Sequence, residues 1–121
     1  EVLHLVRVRM VDKKPIALQS AFIPHKICPG IEKSDLDNKS LFAVLREEFF
    51  VHPAWTEAVV RAKLADDEEA ELLEVNAGDP MLVVSGLTFT DAFDVVESVT
   101  TVYPADDFGL YIGRQRLERH I

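Results

Sequence analysis

The stretch VLHLVRVRMVDKKPIALQSAFIP, residues 2–24, decides the fold, because two largely apolar runs flank a segment holding the turn formers Asp12 and Pro15. Residues 2–11 and 16–23 read as two strands joined by DKKP, and Pro24 ends the second. Extended backbone alternates its side chains, so Leu5, Arg7, Arg9 and Val11 share one face and Val6, Val8 and Met10 the other. Two guanidinium groups at this spacing stand about 6.5–7 Å apart. Such a pair grips a carboxylate or a phosphate from two sides, and neither group gives up its proton to ease burial. A solvated outer face is the other reading of the same pattern, since antiparallel sheets often leave one side wet.

Further along, MLVVSGLTFTDAFDVVESVTTVYP, residues 81–104, has the same grammar of strand, Asp-led turn, strand and terminal proline, one residue longer. Strands are expected over 81–90 and 95–103, with a last one near 108–113. Two long hairpins of this kind form one antiparallel sheet. Between them, SLFAVLREEFF sets Leu41, Val44, Leu45 and Phe49 at helical spacing, with Asn38 placed to cap the start. ADDEEAELLEV follows as a second helix, with Asp66 and Glu69 at capping-box spacing and Gly78 beyond its end. Residues 55–64 alternate and read as a half-buried strand, with Ala58, Val60, Ala62 and Leu64 opposite Glu57, Arg61 and Lys63. The segment from Pro24 to Asn38 reads as an irregular crossing, and RQRLERHI as an exposed tail or partner contact. The expected architecture is α+β, an antiparallel sheet with both helices packed on one face.

At 121 residues the chain is expected to be one domain, and 48% hydrophobic with 28% charged residues suits a folded core. The formal net charge of −8 disfavours sequence-independent attraction to DNA or anionic lipid, so contact with DNA would need another segment. A single cysteine, Cys28, rules out an internal disulfide, and no spacing suggests a metal site or a cofactor. A reducing, cytoplasmic setting is the natural reading. No apolar run reaches the length of a membrane helix. Glu1 falls at the lip of a strand, which suggests that the sequence begins inside a longer polypeptide.

Period two also puts Glu97, Val99, Thr101 and Tyr103 on one strand face, a carboxylate, a hydroxyl and a phenol able to read a polar small molecule. Ser40 sits where free N–H groups and the helix dipole favour an anion, though a serine there also serves plain helix-start chemistry. Arg7 and Arg9 with Ser40 would make an anion receptor, and Glu97 with Tyr103 could read the rest of the ligand. Catalysis is not indicated: His4, His25, His52 and His120 have no nucleophile at motif spacing.

The ordered blocks RVRMVDKKPIALQSAFIP, KSLFAVLREEFF, LADDEEAELLEVNAGDPMLVV and VVESVTTVYPADDF resemble the UTRA domain, the effector-sensing half of HutC-type regulators in the GntR family. The resemblance implies a chorismate-lyase-like fold, a homodimer, and a winged-helix DNA-binding domain preceding residue 1. It implies a small anionic metabolite, of the phosphosugar or carboxylate class, that modulates operator binding. By position, Arg7, Arg9 and Ser40 look like the family's anion-binding group, while Glu97 and Tyr103 match its glutamate and the tyrosine six residues on. Phe42 stands where tyrosine is frequent, and Gln19 where many relatives carry glutamate. Val95 replaces a proline, and Asp107 an arginine, whereas Asp106 fits. An amide offers donor and acceptor and phenylalanine neither, so no particular effector carries over.

The expected ligand-binding set is therefore Arg7, Arg9, Gln19, Ser40, Phe42, Glu97, Thr101 and Tyr103. Gln19 joins the arginines only if the first hairpin has the right register. Pairing Arg9 with Gln19 requires a three-residue loop, Lys13–Pro15, and a two-residue loop would turn Gln19 to the other side. Two alternatives stay open: a chorismate-lyase-like enzyme, resting on fold analogy alone, and a dimerisation module without ligand.

Overall fold

The computed structural model describes residues 1–111, 113, 114 and 116. Five strands and two helices follow in the order β1 (Val2–Val11), β2 (Lys14–Pro24), α1 (Leu41–Phe49), β3 (Trp55–Leu64), α2 (Asp67–Leu73), β4 (Pro80–Phe89) and β5 (Val95–Pro104). All pairings are antiparallel, in the sheet order β1-β2-β5-β4-β3, so the two long hairpins meet through β2 and β5 and leave β1 and β3 at the edges. The crossing from β2 to α1 is irregular, as its composition suggests, and holds two short 3-10 turns, His25–Ile27 and Ile31–Lys33.

The first hairpin differs from the expected register. Its loop has two residues, Asp12 and Lys13, at φ 49° and 66°, the left-handed pair that matches strand twist in tight hairpins. Arg7, not Arg9, opposes Gln19, and Arg9 opposes Ala17. Gln19 nevertheless shares the arginine face, because the register shifts between Arg9 and Met10 and leaves Ile16 as an extra residue. That bulge restores the parity which a two-residue loop alone would have broken.

Both faces of the sheet are covered, each by one helix. Ile23 and the bulged Val96 pack with Leu41, Val44 and Leu45 of α1, together with Ile31 and Cys28 of the crossing. Leu3 and Leu5 of β1 join the same cluster, on the face of Arg7. On the opposite face Met81 and Val102 pack against Leu73 of α2 and Ala65 just before that helix, with Leu18 and Val83 beside them. The antiparallel α+β class is as expected, but the helices do not share a face. The sequence pattern missed this because β2, β4 and β5 carry apolar residues at both parities, so neither side was marked as the wet one.

Three local expectations also change. Ser40, not Asn38, caps α1: its Oγ accepts from the Ala43 N–H at 3.0 Å, while the Asn38 amide donates to the Asp35 carboxylate. The 55–64 strand is exposed along nearly its whole length rather than half-buried, since it is an edge strand. Residues 108–111 and 113 belong to no strand, and the closing segment from 114 lies mostly outside the described residues. The Asp66–Glu69 capping box is present in full.

Candidate functional site

Strand parity and the start of α1 bring Arg7, Arg9, Gln19, Ser40, Leu41, Phe42 and Glu97 around one cavity of about 250 Å³. Six of these seven are residues singled out from the sequence, and Leu41 is the addition. Arg7 is half-buried, and its Nη2 donates to Gln19 Oε1 at 2.9 Å. The Gln19 amide in turn points its Nε2 to Thr101 Oγ1 at 3.5 Å, a long contact across the β2–β5 pair. Thr101 is thus buried behind Gln19 and holds it rather than lining the cavity. Arg7 Nε is buried and, among the described residues, has no acceptor.

Glu97 is 5% exposed and accepts from Thr88 Oγ1 at 3.0 Å. Thr88 opposes Glu97 only because the register shifts at Val96; pairing the second hairpin outward from Phe89 and Val95 without that bulge would have set Leu87 there instead. Burial raises the Glu97 carboxyl above the usual carboxylate value, opposed by the Thr88 hydrogen bond and by the charge of Arg7. Burial also lowers Arg7 below the usual guanidinium value, with the neighbouring charge of Arg9 adding to it and Glu97 opposing. Arg7 stays protonated at neutral pH all the same, because no protein environment ordinarily deprotonates a guanidinium.

Tyr103 lies on the same strand face by parity but does not line the cavity. Its ring stacks on Phe108, centroids 3.8 Å apart, so it packs the chain leaving β5. A second depression, about 540 Å³, adjoins the first and shares Arg7 and Arg9 with it. Its outer wall is the loop of Leu36, Asp37, Asn38 and Lys39 just before α1, a feature the sequence reading passed over as a turn. The two hollows form a trough with both guanidinium groups between them and the capped start of α1 at one end. Such an arrangement suits a small anion carrying a polar extension.

The UTRA domain profile matches residues 1–109. The chain belongs to the UTRA domain family. A probable fructoselysine utilization operon transcriptional repressor of Escherichia coli K12 is 26% identical over 89 residues, covering 74% of this chain and 37% of that protein. The histidine utilization repressor of Pseudomonas putida is 29% identical over 90 residues, 74% of this chain and 35% of that protein. The chain thus spans little more than a third of these relatives. Among solved structures, a GntR-family transcriptional regulator from Enterococcus faecalis V583 superposes with a TM-score of 0.82 at 26% identity, over 93% of this chain and 81% of that one. The C-terminal domain of the histidine utilization repressor from Pseudomonas syringae gives 0.83 at 25% identity, over 96% and 79%. The UTRA fold and the five-stranded antiparallel sheet therefore agree.

Proposed function

We propose that this UTRA domain is the effector-sensing part of a bacterial transcriptional repressor. In this reading it binds a small anionic metabolite between β1 and the start of α1. The observation that carries the reading is Arg7: it lines the cavity beside a second guanidinium, and its buried Nε has no acceptor among the described residues. An unmet charged donor in a wall is costly unless a ligand supplies the acceptor. Gln19 bonds Arg7 without neutralising it, so the positive charge remains available to the ligand. The relatives named above carry the names of transcriptional regulators, among them a histidine utilization repressor and a probable fructoselysine operon repressor, which supports a regulatory rather than an enzymatic role. The reading further takes the active form as a homodimer in the cytoplasm, joined to a winged-helix DNA-binding domain. Among the described residues no helix is long and apolar enough to cross a membrane.

The test is thermal unfolding against sugar phosphates, aminosugar phosphates, dicarboxylates and imidazole acids. A true effector at a hundred times its dissociation constant adds about 2.7 kcal/mol, a rise of several degrees. The rise should vanish in Arg7→Ala/Arg9→Ala. A rise that survives the double substitution, or none with any anion, overturns the reading.

A further inference from the structure

We propose that the face of the sheet covered by α2 carries, beyond that helix, a second ligand site built for a small arylalkylamine, a flat apolar ring bearing a protonated amine. It lies on the opposite face from the arginine trough and has the opposite charge preference.

β3 and β4 pair without a register shift from Leu64↔Pro80 to Trp55↔Phe89. At the first end of this ladder Lys63 holds Glu69, and Met81 packs on Leu73, so both face α2. The period of two then carries Val59, Glu57 and Trp55, with Ser85, Leu87 and Phe89 opposite them, along the same face. No residue of α2 reaches this far. Two hollows occupy the surface instead, one of about 270 Å³ at Trp55, Phe89 and Phe93, the other of about 350 Å³ at Val59, Leu87 and Ser98. Glu57 lines both and joins them.

The smaller hollow is an aromatic corner. Trp55 and Phe93 lie within 11° of parallel with centroids 6.3 Å apart, and Phe89 tilts against Phe93. Trp55 is 57% and Phe93 67% exposed. Phe93 also sits at φ 63°, where its N–H donates to the Thr90 carbonyl and closes the β4–β5 turn. Glycine or asparagine fills such a position at least cost, and a bulky side chain there is an outlier. The chain thus accepts backbone strain and an open ring at one residue, a combination that clusters at ligand clamps.

Charge selects the ligand class. No lysine, arginine or histidine lines either hollow, and the one ionisable group is Glu57, which makes no ion pair among the described residues. Aromatic faces are electron-rich, so the Trp55 indole and a carboxylate two residues along the strand, about 6.5–7 Å away, attract the same cation. The rings also stack on an apolar ring, and the Ser98 hydroxyl can accept from a remaining N–H. A neutral sugar could stack on Trp55 but would gain nothing from the charge of Glu57. An anion would be repelled by it and by the net charge of −8.

Trp55 is the single tryptophan, so its fluorescence reads this site alone. Phenethylamine is the probe, and phenethyl alcohol, which keeps the ring and lacks the charge, is its control. The amine at neutral pH should move Trp55 emission to shorter wavelength and saturate. In titration calorimetry the alcohol should bind about tenfold more weakly, and Glu57→Gln should weaken the amine by about tenfold while leaving the alcohol unchanged. Phe93→Gly should weaken the amine by a similar factor with a thermal midpoint no lower than that of the unsubstituted chain, a separation that a purely structural role for the ring would not produce. An amine that leaves Trp55 emission unmoved, an alcohol that binds as tightly, or an affinity indifferent to Glu57→Gln or to Phe93→Gly overturns the proposal.

Discussion

At the scale of single residues, Glu97 makes the sharpest statement. A carboxyl whose native pKa lies above its unfolded value binds its proton more tightly when folded, so its contribution to stability is fully present below the unfolded value and is lost as pH rises through the native one. Stability should therefore decline over the window that opens near the ordinary carboxylate value and closes at the raised one. Glu97→Gln should flatten that part of a urea-denaturation series run against pH. Protonation also removes the negative charge beside the arginines, so anion affinity should improve as pH falls through the same window, and titration calorimetry should find that dependence missing in Glu97→Gln. Arg7, Arg9, Gln19 and Glu97 were legible because a period of two is a strong rule and each strand is paired over this length. Tyr103 obeys the same period and still lies off the cavity, because parity fixes a face and not a position along it; Phe108 took the ring.

At the scale of elements, the first hairpin shows what a pattern of residue types cannot carry. Nothing in DKKPI marks Ile16 as a bulge, yet that one residue decides whether Gln19 faces Arg7. The turn itself offers a test. Asp12 and Lys13 sit in left-handed backbone that costs an ordinary side chain about 1 kcal/mol or more, and Asn-Gly is the pair this turn prefers. Asp12→Asn/Lys13→Gly is expected to stabilise the domain by about 1 kcal/mol in denaturant titrations, while leaving ligand affinity unchanged, since the register is preserved. Gly86 makes the reverse case: a Cβ there would collide with the Glu57 carbonyl across the β3–β4 pair. Gly86→Ala should push β3 away from its neighbour and cost about 1–3 kcal/mol, with amide hydrogen exchange rising first in residues 55–64. The helices were legible as elements from spacing and from the Asp66–Glu69 box. Their faces were not, since an amphipathic helix encodes that it covers something apolar and not which side of a two-sided sheet it covers.

At the scale of the molecule, a sheet with a separate core on each face can divide its labour. The α1 side carries the cavity, whose wall includes Leu41 and Phe42 from the helix start, while the α2 side is packed with Leu73, Met81 and Val102, none of which lines the arginine trough. Truncating either core should cost similar stability, about 2–5 kcal/mol for a buried leucine, which is a large share of the 5–15 kcal/mol typical of a domain. The consequences for sensing should part company. Leu45→Ala loosens the helix that supplies Ser40 and Phe42, and is expected to weaken anion binding beyond the loss of folded protein. Leu73→Ala leaves β1, β2 and α1 in place and should bind with the affinity of the unsubstituted chain once corrected for the folded fraction. Measuring both variants by urea denaturation and by titration with the anion found in the thermal screen separates the cases, and equal losses of affinity would show that the sheet transmits strain from one face to the other.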